Sequence, residues 1–278
     1  MEIKFVKMHG LGNDFIIMED AGLGDEDYSA LAKELCLRRW SVGGDGLVVL
    51  QDSTEAEIRM RIFNPDGSEA EMCGNALGCV ASYYHEREGK EMLKVETGAG
   101  LQDAEIVKPG WIKVNMGIPK WESGEIPVEG EPRQVIDEKV LLEGEELIFT
   151  GVSMGNPHCV VFVEGWESVP WEHWGAILEK HPIFPQGVNV EFVKINNSQQ
   201  AEVMVWERGA GKTLACGSGA CAVAAAGIRK GLLGSPVEVQ LPGGLLRISW
   251  KPGEEVWMEG PAEVAYWGKK AITQKQSD

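Results

Sequence analysis

The chain has no apolar run approaching the roughly 20 residues that a membrane span requires. Its start, Met1-Glu-Ile-Lys-Phe, lacks the charged-then-apolar layout of a secretion signal, so a cytoplasmic location is expected. Basic residues are scarce: 26 Lys and Arg stand against 43 Asp and Glu, a net charge of −17 in 278 residues. Neither nucleic acid nor an anionic membrane is therefore an expected partner, since both are held by clustered cations. An anionic small molecule is not excluded, because a few local donors suffice to hold it. Metal-ligand spacing is missing too, with no Cys-x-x-Cys and no His-x-x-x-His, so no metal is expected. The six cysteines (36, 73, 79, 159, 216 and 221) are expected to be reduced rather than a disulfide framework. Gly209-Ala-Gly-Lys-Thr213 has the tail of a phosphate-binding loop, but that motif needs glycine where Trp206 stands.

What is present is a globular composition, 44% hydrophobic and 25% charged, long enough for two cores. Strand-like runs dominate. Glu57 to Phe63 alternates, with Ile58, Met60 and Ile62 on one face, as a half-buried strand does. Similar runs lie at 3–7, 14–18, 46–51, 92–97, 101–107, 111–115, 147–153, 158–163, 188–195, 201–206, 236–241 and 244–250. Helical patterns fall near 28–39, 74–87, 167–180 and 217–230. Prolines and glycines across 117–134 read as a linker near mid-chain.

The midpoint coincides with an internal repeat. A shift of 143 residues lays Cys73-Gly74 on Cys216-Gly217, Val80-Ala81 on Val223-Ala224 and Gly12-Asn13 on Gly155-Asn156. It also lays Phe63-Asn64 on Trp206-Glu207 and Gly46 on Asn189. The expected fold is α+β, with two pseudo-symmetric lobes, each a strand-rich, barrel-like sheet around a central helix. Lobe limits are expected at 1–118, completed by a C-terminal strand within 264–278, and at 119–263.

Each repeat sets a cysteine immediately before glycine and a helical pattern. The unpaired N–H groups and positive dipole end of a helix start favour a thiolate there. They also bind a carboxylate or a developing oxyanion. Two such cysteines, one per half, suit inversion of a stereocentre, in which one group removes a proton and another delivers one from behind. Cys36, Cys79, Cys159 and Cys221 read as small buried hydrophobes. Asn13, Asn64, Asn75, Asn156 and Asn189, beside Gly or Pro or at strand ends, suggest a polar site for amino and carboxylate groups. Arg208 can clamp a carboxylate, and Glu207 can accept from an ammonium group.

Met8-His-Gly-Leu-Gly-Asn-Asp-Phe15, Phe63-Asn-Pro-Asp-Gly67, Glu71-Met-Cys-Gly-Asn75, Gly155-Asn-Pro-His158, Trp206-Glu-Arg-Gly209 and Thr213-Leu-Ala-Cys-Gly-Ser-Gly-Ala-Cys221 together resemble the diaminopimelate epimerase family along the whole chain. The resemblance implies a cofactor-independent epimerase that interconverts LL- and meso-diaminopimelate, a small-molecule substrate on the route to lysine and bacterial cell wall. A homodimer is compatible with it. It implies Cys73 and Cys216 as the acid/base pair. Gly74-Asn75 and Gly217-Ser218 would hold the reacting carboxylate by their backbones. Asn13, Asn64, Asn156, Asn189 and Arg208, with Glu207 nearby, would read the substrate's distal end. His158 and Glu207 match positions that tune the cysteines. Ser218 stands where Thr is frequent, and Gly46 stands where some members supply a Gln side chain.

Proline racemases share the paired cysteines but typically carry Cys-Gly-His where this chain has Cys73-Gly-Asn75. The related phenazine-pathway isomerases use a carboxylate in place of cysteine. A non-catalytic ligand-binding protein would not need both Cys73 and Cys216.

Overall fold

The computed structural model describes residues 2–272. The chain forms two compact units, one of Met1–Val114 with Gly260–Asp278 and the other of Asn115–Glu259. The division falls inside two strands rather than in loops. Among the described residues, no helix is long and apolar enough to cross a membrane.

The first unit begins with a hairpin, β1 (Glu2–Gly10) and β2 (Asn13–Glu19), joined by Leu11-Gly12. Both turn residues have positive φ, 54° and 86°, the geometry that matches a two-residue turn to strand twist. After α1 (Asp25–Leu35), β3 (Gly46–Gln51) returns parallel to β2, with Phe15 opposite Gly46. β4 (Ile58–Phe63) runs antiparallel to β3, with Leu47 opposite Phe63, and a short β5 (Glu69–Ala70) adds to β4. The chain then crosses through α2 (Gly74–Glu88) to β6 (Met92–Thr97), parallel to β4, and continues into β7 (Gly100–Lys108) and β8 (Trp111–Asn115).

The second unit repeats this order after β9 (Glu138–Leu142). A hairpin of β10 (Glu145–Ser153) and β11 (Pro157–Val163) is followed by α3 (Trp171–Glu179) and β12 (Asn189–Asn197), parallel to β11 with His158 opposite Asn189. β13 (Gln200–Glu207) pairs antiparallel with β12, Val190 opposite Trp206, and carries β14 (Gly211–Lys212). α4 (Gly217–Arg229) leads to β15 (Val237–Leu241), parallel to β13, then β16 (Gly244–Ser249) and β17 (Trp257–Pro261). The last strand, β18 (Glu263–Ala271), belongs to the first unit and pairs with β1, as β9 pairs with β10. The part of the expected C-terminal strand at 273–278 lies outside the described residues.

The two pairing registers around β3 and β12 are related by the same 143-residue shift that the sequence shows. Duplication therefore extends to individual strand partners. At the parallel crossover the register slips by one residue, Ile58 opposite Val95 against Ala201 opposite Val239.

Each unit wraps its sheet around one helix. In α2 every residue from Gly74 to Tyr84 is buried, and in α4 only Ser218 interrupts burial between Gly217 and Gly227. Small side chains make this possible: Ala222, Ala224, Ala225 and Ala226 let strands approach α4 from several directions. α1 packs elsewhere, its Tyr28, Leu31 and Leu35 covering Ile16, Leu47 and Val49.

Three expectations need correction. The 28–39 helix ends at Leu35, and Leu37 and Trp40 beyond it are exposed, so their apolar character was no guide to helical periodicity. The 167–180 helix is a single 3-10 turn at Trp166–Ser168 and a helix that starts only after Pro170. Proline restricts the residue before it to extended backbone, which breaks the run. The stretch 117–134 is not a linker. Trp121, Ile126 and Val128 are buried, and Ile126 and Val128 join the core formed by Val140, Phe149, Val161 and Phe192. Its prolines and glycines turn the chain without leaving that core.

Ile126→Ala is accordingly expected to cost about 2–5 kcal/mol of unfolding free energy, as truncation of a buried aliphatic does. Urea denaturation checks this. A loss within about 0.5 kcal/mol, typical of a surface site, would restore the linker reading.

Candidate active site

Cys73 and Cys216 are the N-cap residues of α2 and α4, both with extended backbone and neither helix carrying a side-chain cap. Ser, Thr, Asp or Asn normally fills this position and accepts from the first-turn N–H groups. Here the start of each helix is buried, and at Cys216 the Gly219 N–H faces the sulfur instead. Cys73 is partly exposed and Cys216 is 5% exposed.

In the first unit, Asn13 opens β2 directly after the hairpin turn. Its Nδ2 donates to Asp45 Oδ2 at 3.0 Å, and its Oδ1 accepts from Asn75 Nδ2 at 3.1 Å. The same Oδ1 lies 4.0 Å from Cys73 Sγ. Asp45 is held in turn by Arg38 at 2.7 Å, and Arg38 also grips Asp14. Buried Lys7 pairs with Asp14 at 2.7 Å and donates to the Gly43 carbonyl. Burial alone would raise the Asp14 carboxyl, but hydrogen bonds from Arg38 and Lys7 outweigh it and hold the group at about 2. Asn64 is engaged separately: its Nδ2 donates to Ser68 Oγ at 3.0 Å across the Asn64–Gly67 turn. Gly46 begins β3 against the Phe15 ring and the Phe63 carbonyl.

In the second unit, Asn156 occupies the corresponding hairpin position. Its Nδ2 donates to Ser218 Oγ at 3.2 Å, and Ser218 Oγ lies 3.6 Å from Cys216 Sγ. The 143-residue shift relates Asn13 to Asn156 and Asn75 to Ser218, so both units run one asparagine from the hairpin to the second residue of the helix. On the other side, Asn156 Oδ1 contacts His158 Nε2 at 3.0 Å. His158 Nδ1 lies 2.7 Å from Glu191 Oε1, and both side chains are fully buried. Asn189 is braced by backbone, its Nδ2 donating to the Pro157 carbonyl at 2.8 Å and its Oδ1 accepting from Arg208 N–H at 3.0 Å. Arg208 is exposed, with one N–H donated to the Gln186 carbonyl at 3.1 Å.

Sequence reasoning missed Glu191. A signal existed, since it is the only charge in the apolar run Val188-Asn-Val-Glu-Phe-Val193, where a buried carboxylate needs a partner. Gly219 is what lets it sit there: a Cβ added at Gly219 would come 2.6 Å from Glu191 Oε1.

The electrostatics of Cys216 differ from the expectation that a helix start favours its thiolate. Burial, followed by the negative charges of Glu207 and Glu191, pushes its thiol well up, against the pull of Ser218 and the Gly219 N–H. Glu207 is itself raised by burial, although Thr213 and Cys216 beside it act the other way. The ligand-free site thus keeps the Cys216 proton on sulfur. Burial also pushes up the thiols of Cys79, Cys159 and Cys221, and that of Cys36 to about 11, as befits core residues.

Two similar α+β units, each heading its central helix with a cysteine, make up the chain. Solved structures of this fold include a phenazine biosynthesis protein from Bacillus anthracis, 17% identical, with a TM-score of 0.71 and coverage of 98% of this chain and 100% of that one. Another is a hydroxyproline epimerase from Agrobacterium vitis with bound trans-4-hydroxy-L-proline, 16% identical, with a TM-score of 0.68 and coverage of 96% and 92%. At such identity they establish the fold alone. The family model for diaminopimelate epimerase matches residues 5–122 and 150–265. Diaminopimelate epimerases of Carboxydothermus hydrogenoformans and Desulforudis audaxviator are 49% and 50% identical over 273 and 275 residues, each covering 96% of this chain and 99% of the relative. The chain belongs to the diaminopimelate epimerase family.

Asp14 gives a pH test of the first unit's network. Its folded carboxyl is lowered from 3.8 to about 2, so its contribution to stability is present above the unfolded value and lost as pH falls through the folded one. Asp14→Asn should be less stable than wild type at neutral pH, with the gap closing between about pH 4 and pH 2. A pH-independent gap in urea midpoints contradicts this.

Proposed function

We propose that the chain interconverts LL- and meso-diaminopimelate without a cofactor, one cysteine thiolate removing the α-proton and the other cysteine's thiol delivering a proton from the opposite side. The observation that carries the reading is the duplicated one: a cysteine, rather than a capping oxygen, at the start of a buried helix in each unit. Family membership supplies the substrate, and with it a place in lysine and cell-wall precursor synthesis.

The α-hydrogen of an amino acid is a poor acid, so the carbanion must be stabilised electrostatically in a site that excludes water. The first-turn N–H groups at Gly74-Asn75 and Gly217-Ser218 are assigned to the reacting carboxylate, which completes the missing caps. Asn13, Asn64, Asn156, Asn189 and Arg208 are assigned to the distal amino-acid end. The exposed Arg208 guanidinium binds its carboxylate, and Glu207 accepts from its ammonium. Asn189 serves through the Arg208 backbone that it holds.

The raised Cys216 thiol suits the proton donor, leaving Cys73 as base in that direction. Reversal exchanges the roles, so the two sulfurs titrate as one coupled system. His158 and Glu207 tune it, Glu207 directly beside Cys216 and His158 through Asn156.

Cys73→Ala and Cys216→Ala should each lower epimerisation of LL-diaminopimelate by at least about 100-fold, the scale of a lost general acid or base, with the fold retained by circular dichroism. α-Deuterium uptake in D₂O reads this, with L-proline as a control expected to take up none. Turnover near wild type in either variant, or uptake with proline alone, overturns the reading.

A further inference from the structure

The geometry points to Glu191 as a positioning residue: with His158 it fixes which way the Asn156 amide faces, and so leaves the Ser218 hydroxyl hydrogen directed to Cys216 Sγ. This rests on the reading of Cys216 as an acid/base group.

The argument follows donors and acceptors along the contacts. Asn156 Nδ2 faces Ser218 Oγ, which puts its carbonyl Oδ1 against His158 Nε2. A carbonyl only accepts, so Nε2 must carry a hydrogen. The ring's other nitrogen meets Glu191 Oε1 at 2.7 Å, and one proton occupies that contact. If the pair held one proton fewer, with Nδ1–H on an ionised Glu191, Nε2 would become an acceptor. The amide would then turn its NH₂ to the ring and its carbonyl to Ser218. Ser218 would spend its hydrogen on Asn156, and Cys216 would lose that donor. With the observed orientation the Ser218 oxygen accepts from Asn156, and its hydrogen remains for the sulfur 3.6 Å away.

The duplicated unit serves as an internal control. In the first unit the carboxylate of Asp45 accepts from Asn13 and orients its amide directly. The repeat shift puts Val188 at the Asp45 position, so the second unit lacks that anchor. It also sets Phe15 and Val48, both buried, where the second unit has His158 and Glu191. The shared framework therefore folds with apolar residues at those two places. Fully buried Glu191, whose Oε2 has no hydrogen-bond partner among the described residues, stands there at a desolvation cost that packing does not require. The first turn of α4 beside it offsets part of that cost through its dipole.

Two arms test the inference. In the ligand-free wild-type protein, ¹⁵N spectra of histidine-labelled material should show His158 Nε2 protonated near neutral pH. An unprotonated Nε2 overturns the inference, whatever the protein's substrate. For the variants, Glu191→Val should reduce kcat/KM for LL-diaminopimelate at least tenfold, on the scale of lost outer partners in other sites. Glu191→Gln, whose amide still donates to Nδ1 and leaves Nε2–H in place, should stay within about threefold of wild type. A Glu191→Val enzyme as active as wild type, or a Glu191→Gln enzyme as impaired as Glu191→Val, contradicts the positioning role. Inactive wild-type protein would strike the proposed function instead, leaving the spectroscopic arm to decide on Glu191. That arm also decides if Glu191→Val fails to fold.

Discussion

Two buried helices begin at a cysteine instead of a capping oxygen side chain. Buried N–H groups without acceptors are costly, and a helix start concentrates them together with the positive end of its dipole. α2 and α4 are enclosed along most of their length, their first turns included. The surrounding strands, turns and small residues bring a sulfur, a glycine and a hydrogen-bonding residue to each helix start. Cys73-Gly-Asn75 and Cys216-Gly-Ser218 are two versions of that one arrangement.

The versions differ in their supports, and the difference is chemical. Asn13 turns its carbonyl oxygen to Asn75 and Cys73, because an ionic cluster of Lys7, Asp14, Arg38 and Asp45 captures its NH₂. Asn156 turns its NH₂ to Ser218, because His158 captures its oxygen. One helix start therefore meets an acceptor and the other a donor. Burial, and after it the negative charges of Glu207 and Glu191, push the Cys216 thiol well up. A duplicated scaffold in this way supports two thiols with unlike surroundings, as the proposed acid and base require.

Much of this was legible because it is periodic or duplicated. Strand alternation located β6 and β8 to the residue and a continuous apolar run located β3, while the 143-residue shift marked the two halves whose strand partners prove to correspond. The cysteines were legible as helix starts because glycine and a run of small residues follow each. What stayed hidden depends on the third dimension. Ile126 and Val128 look like linker residues until the core they enter is seen, since proline and glycine report turning, not exposure. Glu191 looks like an ordinary strand residue until Gly219 and His158 are found against it. The braced state of Asn189 and the separate engagement of Asn64 with Ser68 are equally invisible in one dimension.

The central claim is that two monoprotic sulfur groups divide one inversion between them. A thiol that has taken the substrate's hydrogen holds only that hydrogen, so returning it regenerates unlabelled substrate. The direct measurement is the position of deuterium at low conversion of LL-diaminopimelate in D₂O. The account predicts one deuterium at the inverted carbon of the meso product and none in recovered LL substrate. Label in recovered substrate at the rate at which product forms would mean a single exchanging base, and would contradict it.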